Sequence, residues 1–143
     1  MQVLIVEDDL EIRRMYEQQI HSYGHEVTIC EDAESALDAY QQSFYPLIIV
    51  DLGLLRMDGL EFCRHIRSLP QGDRSIILII TGYDKLEDNQ SALDAGVDDY
   101  LTKPVSMEAL QMRIIILERQ FQNRIQRKQA EDALRKSEAR LKR

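Results

Sequence analysis

With 143 residues, 44% of them hydrophobic, the chain is long enough for one buried core and an appendage, and no apolar run approaches the roughly 20 residues of a membrane span. Its charge is split: residues 1–117 carry nine basic against 21 acidic residues, net −12, and residues 118–143 carry nine against four, net +5, together the −7 of the whole. An acidic body without a basic face argues against direct nucleic-acid binding, and the opening Met-Gln-Val-Leu-Ile-Val meets acids at once with no secretory leader, so a cytoplasmic protein is expected.

The first apolar run, Val3 to Val6, reads as a buried strand and ends in Glu7-Asp8-Asp9. Leu10 to Tyr23 has helical spacing, and Gly24 supplies its stop. Glu26 to Cys30 is a second strand, and Asp32 can cap a helix from Ala33 to about Gln42. Leu47 to Val50, bounded by Pro46 and Asp51, reads as a central strand buried on both faces. A third helix around Leu60, Phe62, Cys63 and Ile66 ends at Pro70 and Gly72, and a fourth strand, Ile76 to Ile80, is closed by Thr81-Gly82. A helix over Leu86 to Ala95 stops at Gly96. Val97 to Thr102 forms a short fifth strand, and Ser106 can cap the last helix. Cys30 and Cys63 lie on different elements without metal-ligand spacing, so both are expected to be reduced, packed thiols.

Strand and helix thus alternate five times, which calls for a doubly wound (βα)5 α/β domain with a five-stranded parallel sheet. In the order 2-1-3-4-5, the switch point falls between the first and third strands, where Glu7, Asp8 and Asp51 converge. Three carboxylates in one cleft repel each other, and a divalent cation is the usual remedy; oxygen ligands in a small open site suit Mg2+. Thr81 adds a hydroxyl after the fourth strand and Lys103 an ammonium after the fifth. A carboxylate nucleophile, a cation, a hydroxyl and a fixed positive charge are the parts that phosphoryl transfer to an aspartate needs. No Gly-x-Gly-x-x-Gly follows the first strand, and no P-loop motif occurs.

Residues 1–120 resemble the receiver domains of bacterial two-component response regulators. The resemblance rests on Glu7-Asp8, Asp51, Met57-Asp58-Gly59, Thr81-Gly82, Ala95-Gly96 and Tyr100-Leu-Thr-Lys-Pro104, in that order and spacing. It implies that Asp51 accepts a phosphoryl group from a histidine kinase or phosphotransfer protein. Asp8 would bind Mg2+ directly, Glu7 through water, with the Gly53 carbonyl and Asp51 completing the ligands. Lys103 would pair with the phosphoryl group, Thr81 would move toward it, and Tyr100 would change rotamer, switching the surface of the fourth helix, fifth strand and fifth helix. The resemblance also implies a cis Lys103-Pro104 bond and a module that is not a conventional turnover enzyme, although it promotes its own phosphorylation. Leu55 stands where the family usually has Pro, and Gly53 and Tyr83 occupy positions that tune acyl-phosphate lifetime. Two other functions compete. One is a phosphate-independent docking or dimerisation module; the other is a Mg2+-dependent phosphohydrolase, whose second acid two residues past Asp51 is replaced by Gly53.

No Gly or Pro stops the last helix, and unbroken helix from Ser106 to Arg143 would extend roughly 55 Å. Residues 121–143 are expected to be a helical linker, with a seam at Leu110, Ile114, Leu117 and Phe121 and another at Ala130, Leu134, Ser137 and Leu141. The two seams are out of heptad phase, placing a stutter-like break around Arg124 to Lys128. The linker resembles those that precede sensory or output modules. It implies a covalently linked downstream signalling domain, with the chain an excised piece of a larger protein, and a homodimer through the last helix and tail.

Overall fold

The apolar runs pair side by side in one parallel sheet. The computed structural model describes residues 1–52, 59–82 and 89–141, with 89–91 given by backbone alone. Its strands are β1 (Gln2–Val6), β2 (Glu26–Cys30), β3 (Leu47–Asp51), β4 (Ile76–Thr81) and β5 (Asp99–Thr102), in the order β2-β1-β3-β4-β5. All four pairings are parallel, with Val6 beside Val50, Asp51 beside Ile80 and Thr81 beside Thr102. Every residue of β3 and β4 is buried, as uninterrupted apolar runs at the centre of a sheet covered on both faces require.

Side-chain alternation divides the core in two. Leu4, Val6, Ile48, Val50, Ile77 and Ile79 pack with α2 (Ala33–Gln42) and α3 (Gly59–Ser68) on one face. Val3, Ile5, Leu47, Ile49, Ile76, Leu78 and Ile80 pack on the other with Tyr16 and Ile20 of α1 (Leu10–Ser22) and with Leu110, Ile114 and Leu117 of α5 (Met107–Leu141). Each fully buried aliphatic side chain contributes about 1.5–3 kcal/mol to this double layer.

The fourth helix, α4 (Asn89–Asp94), is described from Asn89, so its expected start at Leu86 lies outside the described residues. β5 begins at Asp99 rather than the expected Val97. Gly96 takes φ +84° in the turn before it. Asp98 follows as a clasp, its N–H donating to Ile77 O at 3.0 Å and its Oδ2 accepting from Ile77 N at 2.8 Å.

The last helix runs without interruption to Leu141, through the expected break in the seam. The seam changes because the environment changes. Leu110, Ile114 and Leu117 are buried on the sheet with Phe121 packed beside them, whereas residues 126–141 are exposed.

Candidate functional site

The three acids that follow β1 have three different fates. Asp9 caps α1, its Oδ1 accepting the N–H groups of Glu11 at 2.9 Å and Ile12 at 3.1 Å, a role the sequence reading did not separate from its neighbours. Asp8 is exposed at the mouth of the site. Glu7 is only 2% exposed; its Oε1 accepts the Asp9 N–H at 3.1 Å, and Oε2 is buried with no hydrogen-bond partner among the described residues. Burial first, and then the neighbouring carboxylate of Asp51, push Glu7 up to about 8, against the pull of the Asp9 N–H. With no cation beside it, the carboxyl therefore holds its proton well above the ordinary carboxylate range.

Asp51 closes β3 and is 6% exposed, and the Nζ of Lys103 donates to its Oδ2 at 2.6 Å. Lys103 is delivered there by the end of β5, where its N–H donates to Thr81 O at 2.8 Å ahead of the expected cis Lys103-Pro104 bond. Burial opposes its charge, but the hydrogen bond and charge of Asp51, with Glu7 and Asp8 behind, hold the ammonium above its ordinary value. Tyr16 on α1 is a further neighbour, which the helical spacing of Leu10 to Tyr23 did not single out. Burial and then the charges of Glu7 and Asp51 push its phenol up to about 12.

Thr81 ends β4, 2% exposed, with its hydroxyl donating to Gly82 O at 3.3 Å. Tyr100, on β5, is 46% exposed and its N–H donates to Asp99 Oδ1 at 2.8 Å. The sheet thus brings Glu7, Asp8, Asp51, Thr81 and Lys103 to its carboxyl edge, as the strand order requires. Gly53, Leu55, Met57, Asp58 and Tyr83 lie outside the described residues.

Among the described residues no three acidic, histidine or cysteine side chains are grouped to hold a metal ion as they stand. The donor set nevertheless suits a hard cation: Glu7, Asp8 and Asp51 offer carboxyl oxygens, and Glu7 Oε2 has no hydrogen-bond partner among the described residues.

The model of the response regulator receiver domain matches residues 3–115. The chain belongs to this family. Over 114 residues the receiver is 35% identical to the response regulator MprA of Mycolicibacterium vanbaalenii and 36% identical to that of Mycobacterium leprae, covering 80% of its own length in each case. It spans about half the length of these relatives, 48% and 49% respectively. Among solved structures it superposes on the chemotaxis response regulator CheY4 of Vibrio cholerae with a TM-score of 0.77, at 29% identity over 81% of the receiver and 97% of CheY4. It also matches NtrX of Brucella abortus with a TM-score of 0.78 at 28% identity, covering 92% of the receiver and 29% of NtrX. Receivers are signalling modules rather than conventional turnover enzymes, and no described helix here is long and apolar enough to cross a membrane.

Proposed function

We propose that the receiver is a phosphorylation-driven switch in which Asp51 accepts a phosphoryl group from the phosphohistidine of a histidine kinase or phosphotransfer protein. The observation that carries this reading is the buried Asp51 carboxylate held by Lys103 Nζ at 2.6 Å, beside Glu7 and Thr81 at the strand ends. A carboxylate oxygen of Asp51 attacks phosphorus, an O–P bond forms, and the P–N bond to the donor histidine breaks with the electron pair leaving on nitrogen. Lys103 is placed to transfer its hydrogen bond from the carboxylate to a phosphoryl oxygen, and among the described residues the Thr81 hydroxyl has only the long Gly82 contact to give up in order to follow. Glu7, Asp8 and Asp51, with the Gly53 carbonyl, would hold Mg2+, which supplies charge neutralisation for the transferring group.

Phosphate contacts made better in one conformation then shift the population of the surface formed by α4, β5 and α5, with Tyr100 on it. Residues 1–120 act as the receiver and 121–143 as a helical linker to a covalently attached signalling segment, in the cytoplasm where such kinases present their phosphohistidine. Two copies pair through α5 and the tail.

The test is intact-mass measurement after incubation with Mg2+ and a small acyl-phosphate donor. A single Mg2+-dependent phosphoryl adduct that is absent in Asp51→Asn is the expected result. If the wild type gives no adduct and also fails to bind beryllofluoride, the reading fails and a docking module that works without phosphate takes its place.

A further inference from the structure

A polar cluster at the sheet edge remote from Asp51 is not used by the phosphoryl chemistry. Its centre is Asp98, in the turn that leads into β5. Arg67 of α3 donates to Asp98 Oδ2 at 2.7 Å and also spans the carbonyls of Gly72, Ser75 and Gly96. Arg124 of α5 takes the other oxygen, donating from Nη2 to Asp98 Oδ1 at 2.8 Å, while its Nη1 reaches Ser75 O at 3.2 Å and Asp73 O at 3.3 Å. One turn earlier, Phe121 stacks at a tilt on Phe44 with ring centroids 6.1 Å apart.

Arg124 makes the last hydrogen bonds from α5 to the rest of the fold among the described residues, and from residue 126 the helix is exposed to its end. A second ion pair, Arg113 Nη1 to Asp99 Oδ2 at 2.7 Å, lies eleven residues earlier in the helix. Eleven residues are about three turns, so both arginines project from one side of α5 and grip consecutive residues at the start of the same strand.

We propose that Arg124 is a positioning residue: through Asp98 and the α3–β4 loop it fixes the direction in which α5 leaves the domain and ties the helix to the start of β5. Whatever follows residue 141 is then oriented by a latch built into the receiver. The latch itself does not depend on phosphorylation; only its use in signalling rests on the function proposed above, since Lys103 links the far end of β5 to Asp51. Removing Arg124 leaves Asp98 paired with Arg67, so no buried acid is orphaned and the variant is expected to fold.

The experiment is hydrogen–deuterium exchange on the full chain, comparing wild type, Arg124→Ala and Arg124→Lys. Arg124→Ala is expected to speed exchange of amides 117–126 by about tenfold or more, the scale set by losing charge-assisted hydrogen bonds, while the strand amides keep their protection. Alanine is the better helix former, so the change in helix propensity alone predicts slower exchange. Arg124→Lys restores the charge without the fork and should fall between the two. Unchanged or slower exchange at 117–126 in Arg124→Ala overturns the proposal, as does a uniform rise across the sheet, which would make Arg124 a general stability contact. Should Arg124→Ala not fold, Arg124→Lys decides by the same comparison. Phosphoryl adduct mass is read in parallel: a wild type without adduct but with the exchange difference defeats the switch reading and keeps the latch.

Discussion

Glu7 shows how one position can couple charge, burial and pH. Its ordinary value of 4.5 is raised to about 8 in the fold, chiefly by burial and then by Asp51. The unfolded chain therefore releases this proton near 4.5, and the folded chain keeps it until about 8. Between these values the folded state binds more protons, so this group's contribution is fully present below the lower value and is lost as pH rises through the upper one. In metal-free buffer Glu7→Gln should remove that loss. Calorimetric melting is expected to show the variant gaining on the wild type by several degrees as pH rises across the window, and parallel profiles would disprove the assignment.

Gly96 makes a different demand. At φ +84° an added Cβ would also lie 2.8 Å from Cγ of Arg67, which its hydrogen bonds hold in place. Gly96→Ala should cost about 1–3 kcal/mol in denaturant unfolding.

At the scale of elements, the acidic segment after β1 joins two functions that adjacent substitutions should separate. Asp9 starts α1 and Asp8 faces the site. Asp9→Ala is expected to cost about 0.5–2 kcal/mol of stability through the lost cap, with adduct formation retained. Asp8→Asn should leave melting nearly unchanged and suppress Mg2+-dependent adduct formation. The reverse pattern, seen by mass spectrometry and thermal unfolding together, would exchange their assigned roles. The elements themselves were largely legible. Uninterrupted apolar runs identified β1 and β3, each closed by an acid, and β4, closed by Thr81-Gly82, and α2 matched its expected limits because Asp32 caps it. The start of β5 was misplaced by two residues, since the Asp98 clasp on Ile77 joins positions 21 residues apart and leaves no local signal.

For the whole molecule, α5 is the unusual feature. Its last turns, with Leu134 61% and Leu141 84% exposed, have nothing to pack against among the described residues. A lone helical stretch of this length is marginal in water, so pairing of two tails along Ala130, Leu134, Ser137 and Leu141 is expected to support it. Helicity by circular dichroism should then rise with protein concentration, and Leu134→Glu should abolish the rise while the receiver still melts cooperatively. Concentration-independent helicity in the wild type would contradict pairing.

The alternation of apolar runs with amphipathic stretches determined the doubly wound sheet, and with it the edge at which Glu7, Asp8, Asp51, Thr81 and Lys103 lie, because the hydrophobic period is local and right-handed crossovers put the carboxyl ends of all the parallel strands at one edge. The absence of a stop signal likewise accounts for the unbroken run of α5 to Leu141. Only the tertiary structure decided the protonation of Glu7, the commitment of Asp9 to a cap, the tuning of Tyr16 and the Arg67–Asp98–Arg124 latch. Each of the charged and buried cases depends on distance and desolvation between groups far apart in the chain. Arg124 and Asp98 are 26 residues apart and Lys103 and Asp51 are 52, and no local period encodes which charge will be buried beside which.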